Sequence, residues 1–144
     1  MVGSGPGTHL SGKYVLDLFC GTGAYAFEAL SRGAEKAFFI DKEPPTDILH
    51  TANLLGFSQK ITYIKTMLPA FSFYPPTDLV FMDPPYAFPR DILTEIMEKL
   101  SQVVPVHAIV VLETPEEQIE QNHFLCLLSK KTRGPWLHFF SLHT

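Results

Sequence analysis

Cysteine is scarce in this chain, cationic charge is in deficit, and no long apolar run occurs. Its 144 residues contain two cysteines, Cys20 and Cys126, too few for a disulfide framework and at no zinc-ligand spacing. Both thiols are expected to be reduced and buried in a cytoplasmic protein. No stretch reaches the ~18 apolar residues of a bilayer span, and no charged start leading into an apolar segment resembles a signal peptide. The six histidines are scattered without ligand spacing, so no metal is expected. Lys and Arg number 11 against 15 Asp and Glu, a net charge of −4, which is unusual for a protein that grips phosphate. Hydrophobic residues make up 46% and charged residues 18%, which excludes a disordered chain. The length fits one domain with a single core.

Met1 to Gly12 is rich in glycine and lacks periodicity, so it reads as a flexible lead-in or a cloning remnant. Tyr14 to Phe19, Ala37 to Ile40, Ile61 to Ile64, Asp78 to Met82 and Ala108 to Leu112 are short apolar runs, read as buried strands. Helical spacing lies between them. Ala24 to Ser31 stops at Gly33. A segment capped by Thr46 or Asp47 carries Ile48, Leu49, Ala52 and Leu55 inward and stops at Gly56, and Ile92 to Leu100 forms a third helix. This alternation predicts an α/β fold with a mostly parallel sheet and helices on both faces. After Glu117 the rhythm changes. His123 to Leu128 and Trp136 to Leu142 are strand-like and too close for a helix between them, so they should form an antiparallel hairpin at one edge, with Lys130, Lys131 and Arg133 in its turn.

Asp17 to Gly23 has the pattern D-x-F-x-G-x-G at a strand-to-helix junction. Gly21 and Gly23 allow a sharp turn and a close approach to a ligand, and the following helix presents free N–H groups. A dinucleotide would put its pyrophosphate here, and Ala26 stands where a third glycine is usual. The Asp17 carboxylate would repel phosphate, but it could pair with an ammonium such as that of S-adenosylmethionine. Asp41, at the end of the second strand, can take both ribose hydroxyls.

Asp83-Pro84-Pro85-Tyr86 follows the fourth strand. An exocyclic amino nitrogen on a base is a poor nucleophile because its lone pair is delocalised into the ring. Acceptors from the Asp83 side chain and the Pro84 carbonyl would hold its hydrogens and favour the pyramidal, reactive form. Two prolines set the turn in advance, and Tyr86 offers a stacking face. Glu113, after the fifth strand, either faces the same cleft or is a solvated strand end.

These residues resemble the bacterial methyltransferases that modify the exocyclic N2 of a guanine in 16S ribosomal RNA, the RsmD-like family. The resemblance runs from about Lys13 to Leu142 and includes V-L-D-L-F-C-G-T-G-A, E-A-L-S-R-G-A at Glu28 to Ala34, F-I-D at Phe39 to Asp41, N-L-L-G at Asn53 to Gly56, F-M-D-P-P-Y at Phe81 to Tyr86 and V-L-E at Val111 to Glu113. It implies a Rossmann-like class I S-adenosylmethionine-dependent methyltransferase, with a seven-stranded sheet and a reversed last strand, in a catalytic domain over residues 13–144. Asp17, Phe19, Gly21, Thr22 and Gly23 would line the methionine end of the cofactor, and Asp41 would take the ribose. Asp83, Pro84, Pro85 and Tyr86 would hold the guanine, presented by 16S ribosomal RNA or a small-subunit assembly particle.

Three departures stand out. Only the Gly/Ser lead-in precedes Tyr14, where the family carries a basic segment. Met67 or a neighbour stands where an Asp or Asn often contacts the adenine amino group. Pro44-Pro45 interrupts the usual helix start after Asp41. Two other readings stay open: a DNA amino-methyltransferase using the same D-P-P-Y chemistry, and a catalytically silent domain that binds only the cofactor or a protein.

Overall fold

The central apolar runs, at Tyr14–Leu18 and Lys36–Asp41, become strands whose side chains are buried on both faces of one sheet, while the runs at its edges are partly buried or exposed. A computed structural model describes residues 10–71, 76–119 and 122–142. In chain order the elements are β1 (Tyr14–Leu18), α1 (Ala24–Ser31), β2 (Lys36–Asp41), α2 (Thr46–Leu55), β3 (Ile61–Lys65), β4 (Leu79–Met82), α3 (Arg90–Val103), β5 (Ile109–Thr114), β6 (Phe124–Lys131) and β7 (Trp136–Leu142), with a 3-10 turn at Ser58–Lys60. The sheet has seven strands in the order β3-β2-β1-β4-β5-β7-β6. β1 to β5 are parallel, and β7 runs antiparallel between β5 and β6. The predicted α/β architecture and its antiparallel closing hairpin are both present.

The strand order reverses at β1 and β4, and a crevice at such a switch point is where open α/β sheets hold ligands. Alternation along β1 divides the core. Val15 packs with Ala26, Phe27 and Leu30 of α1 and Ile48 and Ala52 of α2. Leu16 and Leu18 pack on the other side with Leu93, Ile96, Met97 and Leu100 of α3. These four α3 side chains are buried, a contribution of about 1.5–3 kcal/mol each.

Several sequence expectations need correction. In α2 Ile48 and Ala52 are buried, but Leu49 and Leu55 are half exposed. α2 packs toward β3, the edge strand, so the sheet covers only the narrow Ile48–Ala52 seam. Neither Thr46 nor Asp47 caps this helix, whose start has no side-chain cap hydrogen bond. Pro45 is its N-cap at φ −77° and its carbonyl accepts from the Leu49 N–H at 2.9 Å, because a proline suits a helix start. Lys130 and Lys131 lie in β6 rather than in the turn. The turn itself is closed by Thr132, whose hydroxyl donates to the Pro135 carbonyl at 2.6 Å, and by the Lys131 ammonium, which donates to the Gly134 carbonyl. Residues 1–9 of the lead-in lie outside the described residues, while Leu10 packs against the core.

Cys126 is the clearest correction. It is exposed, because β6 is an edge strand whose residues beyond Phe124 face outward. Cys20 is buried, and burial together with Asp17 and Asp41 pushes its thiol far above the ordinary range. The native chain should therefore be alkylated by iodoacetamide at Cys126, with Cys20 protected until denaturant is added. Peptide mapping that found Cys20 modified first would contradict this packing.

Candidate active site

The glycine loop is built from left-handed backbone. Phe19 (φ 59°), Gly21 (φ 52°) and Gly23 (φ 79°) all have positive φ, and the Gly23 N–H donates to the Cys20 carbonyl at 2.7 Å to close the turn. The two glycines serve different ends. A Cβ on Gly23 would meet Ile48, Phe27 and Phe39 at 2.8–2.9 Å, so this position must be bare for α1 to dock. A Cβ on Gly21 would meet nothing within 4 Å, because that side of the loop faces open space.

Two strand-end carboxylates flank the loop. Asp41 Oδ2 accepts from the Gly21 N–H at 3.3 Å and Oδ1 from the Lys42 N–H at 2.7 Å, which fixes the carboxylate at the edge of the loop. Asp17 lies beneath it, 2% exposed, on the α1 side of β1. Burial pushes Asp17 well above the usual carboxylate range. The Ala26 N–H opposes that rise, and the nearby Asp83 and Asp41 charges add to it.

Asp83-Pro84-Pro85-Tyr86 leaves the end of β4, and the Phe88 N–H donates to the Pro85 carbonyl at 3.0 Å. Phe88 meets Phe19 edge-on with ring centroids 4.9 Å apart, which ties this turn to the glycine loop. Tyr86 is 85% exposed, an aromatic face with no cover. β4 and β5 pair in parallel with Met82 opposite Leu112, so the next residues, Asp83 and Glu113, emerge side by side. Their carboxyls share a hydrogen bond. Desolvation, and then the charge and hydrogen bond of Glu113, hold the Asp83 carboxyl up at about 6. The Tyr25 hydroxyl, from the first turn of α1, donates to Glu113 Oε1 at 2.5 Å, and its ring stacks on Phe81 at 5.0 Å and 12°. Burial, followed by that hydrogen bond, pushes the Tyr25 hydroxyl above its ordinary value, so it remains a donor.

One cavity of about 620 Å³ joins these parts, within the size range of small-molecule sites. Phe19, Gly21, Asp41 and Met67 line it together with Asp83, Pro84, Pro85 and Tyr86, so eight of the anticipated residues converge. Asp17, Thr22 and Gly23 are not among its lining residues; Asp17 and Gly23 are buried behind the loop. Lys42, Leu68, Phe88 and Ile92 also line the cavity and went unnoticed in the sequence. Glu113 was left open there, and Tyr25 was missed. Glu113 holds the place on β5 that Asp83 holds on β4, and that equivalence was the available signal. Among the described residues no group of three or more His, Cys, Asp or Glu could hold a metal ion, and no helix is long and apolar enough to cross a membrane.

The fold has solved counterparts. A conserved hypothetical protein from Streptococcus pyogenes is 25% identical, with a TM-score of 0.79 over 92% of this chain and 88% of that one. A methyltransferase candidate from Escherichia coli, yhhF, is 21% identical, with a TM-score of 0.81 over 94% of this chain and 78% of its own. An RNA methyltransferase from Salinibacter ruber, solved with S-adenosyl-L-homocysteine, is 11% identical, with a TM-score of 0.73 over 90% of this chain and 80% of its own. Likeness at this level establishes the class I methyltransferase fold. A comparison with the curated proteins returns no match. Family and fold together support S-adenosylmethionine-dependent methyl transfer. Residues 6–140 match the family described as Conserved hypothetical protein 95, the RsmD-like family, and the chain belongs to it.

Proposed function

We propose that this protein transfers a methyl group from S-adenosylmethionine to the exocyclic N2 of a guanine in 16S ribosomal RNA, offered as free RNA or in a small-subunit particle. The observation that carries this reading is a shared cavity with Gly21 and Asp41 on one side and Asp83, Pro84, Pro85 and Tyr86 on the other. The residues fit the cofactor. Open space beside Gly21 admits a ligand against the backbone. Asp41 Oδ1, which accepts only from the Lys42 N–H among the described residues, keeps lone-pair capacity for a ribose hydroxyl, while Oδ2 already accepts from the Gly21 N–H and the Cys20 thiol. Asp41 lines the cavity, and its carboxylate suits a cation bearing sulfonium and ammonium and opposes a pyrophosphate.

When bound, the cofactor supplies an electrophilic methyl on sulfur, which passes to nitrogen as the sulfur keeps the bond's electron pair. The chain's own residues do the rest. Asp83 and the Pro84 carbonyl accept from the amino hydrogens, and Tyr86 stacks on the base. Phe19 and Met67 pack against the cofactor, while Asp17 and Gly23 shape the loop from behind and Thr22 stands exposed on it. A base in a helix would have to be unpaired or flipped to arrive here. β5 Thr114 pairs with β7 Trp136, so the turn after Lys130 and Lys131, with Arg133, lies at the same sheet edge as the cavity and offers cations to RNA phosphate.

The test is incubation with methyl-tritiated cofactor and either 16S ribosomal RNA, small-subunit particles or DNA, followed by nucleoside analysis. Label in N2-methylguanosine from ribosomal RNA is expected. Label only in N6-methyladenine or in DNA would replace this reading with the DNA amino-methyltransferase. Binding of the cofactor without transfer to any acceptor would favour a silent domain. Asp41→Ala should weaken cofactor binding by about 1–3 kcal/mol, roughly 5- to 150-fold in Kd, as a charged hydrogen-bond acceptor is lost. Calorimetry returning an unaltered Kd would remove Asp41 from the ribose site.

A further inference from the structure

The D-P-P-Y turn supplies one carboxyl to the cavity wall, and the fold sets a second beside it. Asp83 and Glu113 leave adjacent parallel strands one residue past the Met82–Leu112 pair and share a hydrogen bond. The outer oxygen of Glu113 is held by the Tyr25 hydroxyl at 2.5 Å, and Tyr25 is itself fixed by its stack on Phe81. Tyr25 and Glu113 are not among the lining residues of the cavity, so neither is needed to form its wall. The Tyr25 donor thus fixes a second carboxyl beside the first, where its charge acts directly on Asp83.

We propose that Glu113, aimed by Tyr25, is the positioning residue that orients Asp83 toward the acceptor amino group and takes up, through Asp83, the proton that this group releases. The inference rests on the methyl-transfer reading above. Once its lone pair has formed the new N–C bond, the nitrogen holds one proton more than its neutral product. That proton passes along the existing N–H···O bond to Asp83, is shared across the Asp83–Glu113 hydrogen bond, and leaves to water. Glu113 supplies the charge that acts on Asp83 from β5. Asp83 in turn acts on Asp17 of β1 and on Tyr25 of α1. Arg90, on the helix that follows the turn, pairs with Glu116.

The test compares pH–rate profiles of wild type, Glu113→Gln and Tyr25→Phe, using methyl-tritiated cofactor and 16S ribosomal RNA, with cofactor Kd measured alongside. Wild-type kcat should rise through an acid limb near pH 6 as Asp83 ionises. In Glu113→Gln the limb should move down by about one pH unit as the like charge is removed, and the plateau should fall about tenfold as Asp83 loses its alignment. In Tyr25→Phe the limb should move up, because the charge of Glu113, no longer offset by its donor, acts more fully on Asp83. Cofactor Kd should stay within twofold in both variants. A fallen plateau with an unmoved limb would reduce Glu113 to a packing role and overturn the proposal. A carbon-13 titration of the Asp83 carboxyl in the unliganded wild type and Glu113→Gln reads the pairing without catalysis. An unmoved Asp83 midpoint overturns the pairing itself. A moved midpoint in a chain that binds cofactor yet methylates no acceptor overturns the methyl-transfer reading, and the pair's use with it.

Discussion

Asp83→Ala lowers methyl transfer by about 10²–10⁴-fold, the scale of losing a positioned proton acceptor, and leaves the Kd for S-adenosylmethionine within twofold. The separation follows from placement. Asp83 stands at the end of β4 with Pro84, Pro85 and Tyr86, whereas the Asp41 carboxylate is held by Gly21 and Lys42 at the end of β2. Asp83→Asn keeps an amide oxygen that can accept from an amino hydrogen, so it should retain part of the rate, but its acid limb near pH 6 should vanish because an amide does not titrate there. Single-turnover rates measured alongside calorimetry check both statements. Wild-type turnover in Asp83→Ala would mean that the D-P-P-Y turn is only a proline-stiffened strand end.

Gly23→Ala destabilises the fold by about 2–5 kcal/mol, combining ~1–2 kcal/mol for left-handed backbone on a residue with a Cβ with ~1–3 kcal/mol for overpacking. The Cβ would approach Ile48, Phe27 and Phe39 at 2.8–2.9 Å, and these side chains belong to α2, α1 and β2 in one packed cluster, so at least one of them must shift within a filled core. Gly21→Ala, with nothing within 4 Å, should cost only the backbone part, about 1–2 kcal/mol. Urea titration of the two variants separates them. Equal midpoints would show that the contact at Gly23 relaxes freely.

The architecture was legible because periodicity reports burial. Apolar runs such as Phe38–Ile40 and Val15–Leu18 are buried on both faces, and Ile92 to Leu100 follows a helical face that the structure covers. Legibility failed at margins. Leu49, Leu55 and Cys126 lie where an edge strand leaves one side of an element bare, and hydrophobicity alone does not reveal which element is last in the sheet. The cavity wall was read from motif chemistry, which found the residues whose types are unusual for a strand end. Phe88, Leu68 and Ile92 carry no such mark, and Tyr25 reaches Glu113 only through the rotation of a helix whose phase cannot be counted from the sequence to one residue. Asp17, read from its motif as facing the loop, is buried instead, because alternation along β1 puts it on the face of Val15 and toward α1.

The division of the core by β1 has a consequence for how such a protein can diversify. The glycine loop runs into α1 on one face of the sheet, while the D-P-P-Y turn runs into α3 on the other. Under the proposed function, the two ligands are therefore insured by separate hydrophobic compartments that share little but the strands between them. Lesions in the α1–α2 compartment should surface as weakened cofactor retention, and lesions in the α3 compartment as altered acceptor choice. A lineage could exchange one acceptor for another by repacking a single face while its methyl donor stayed the same.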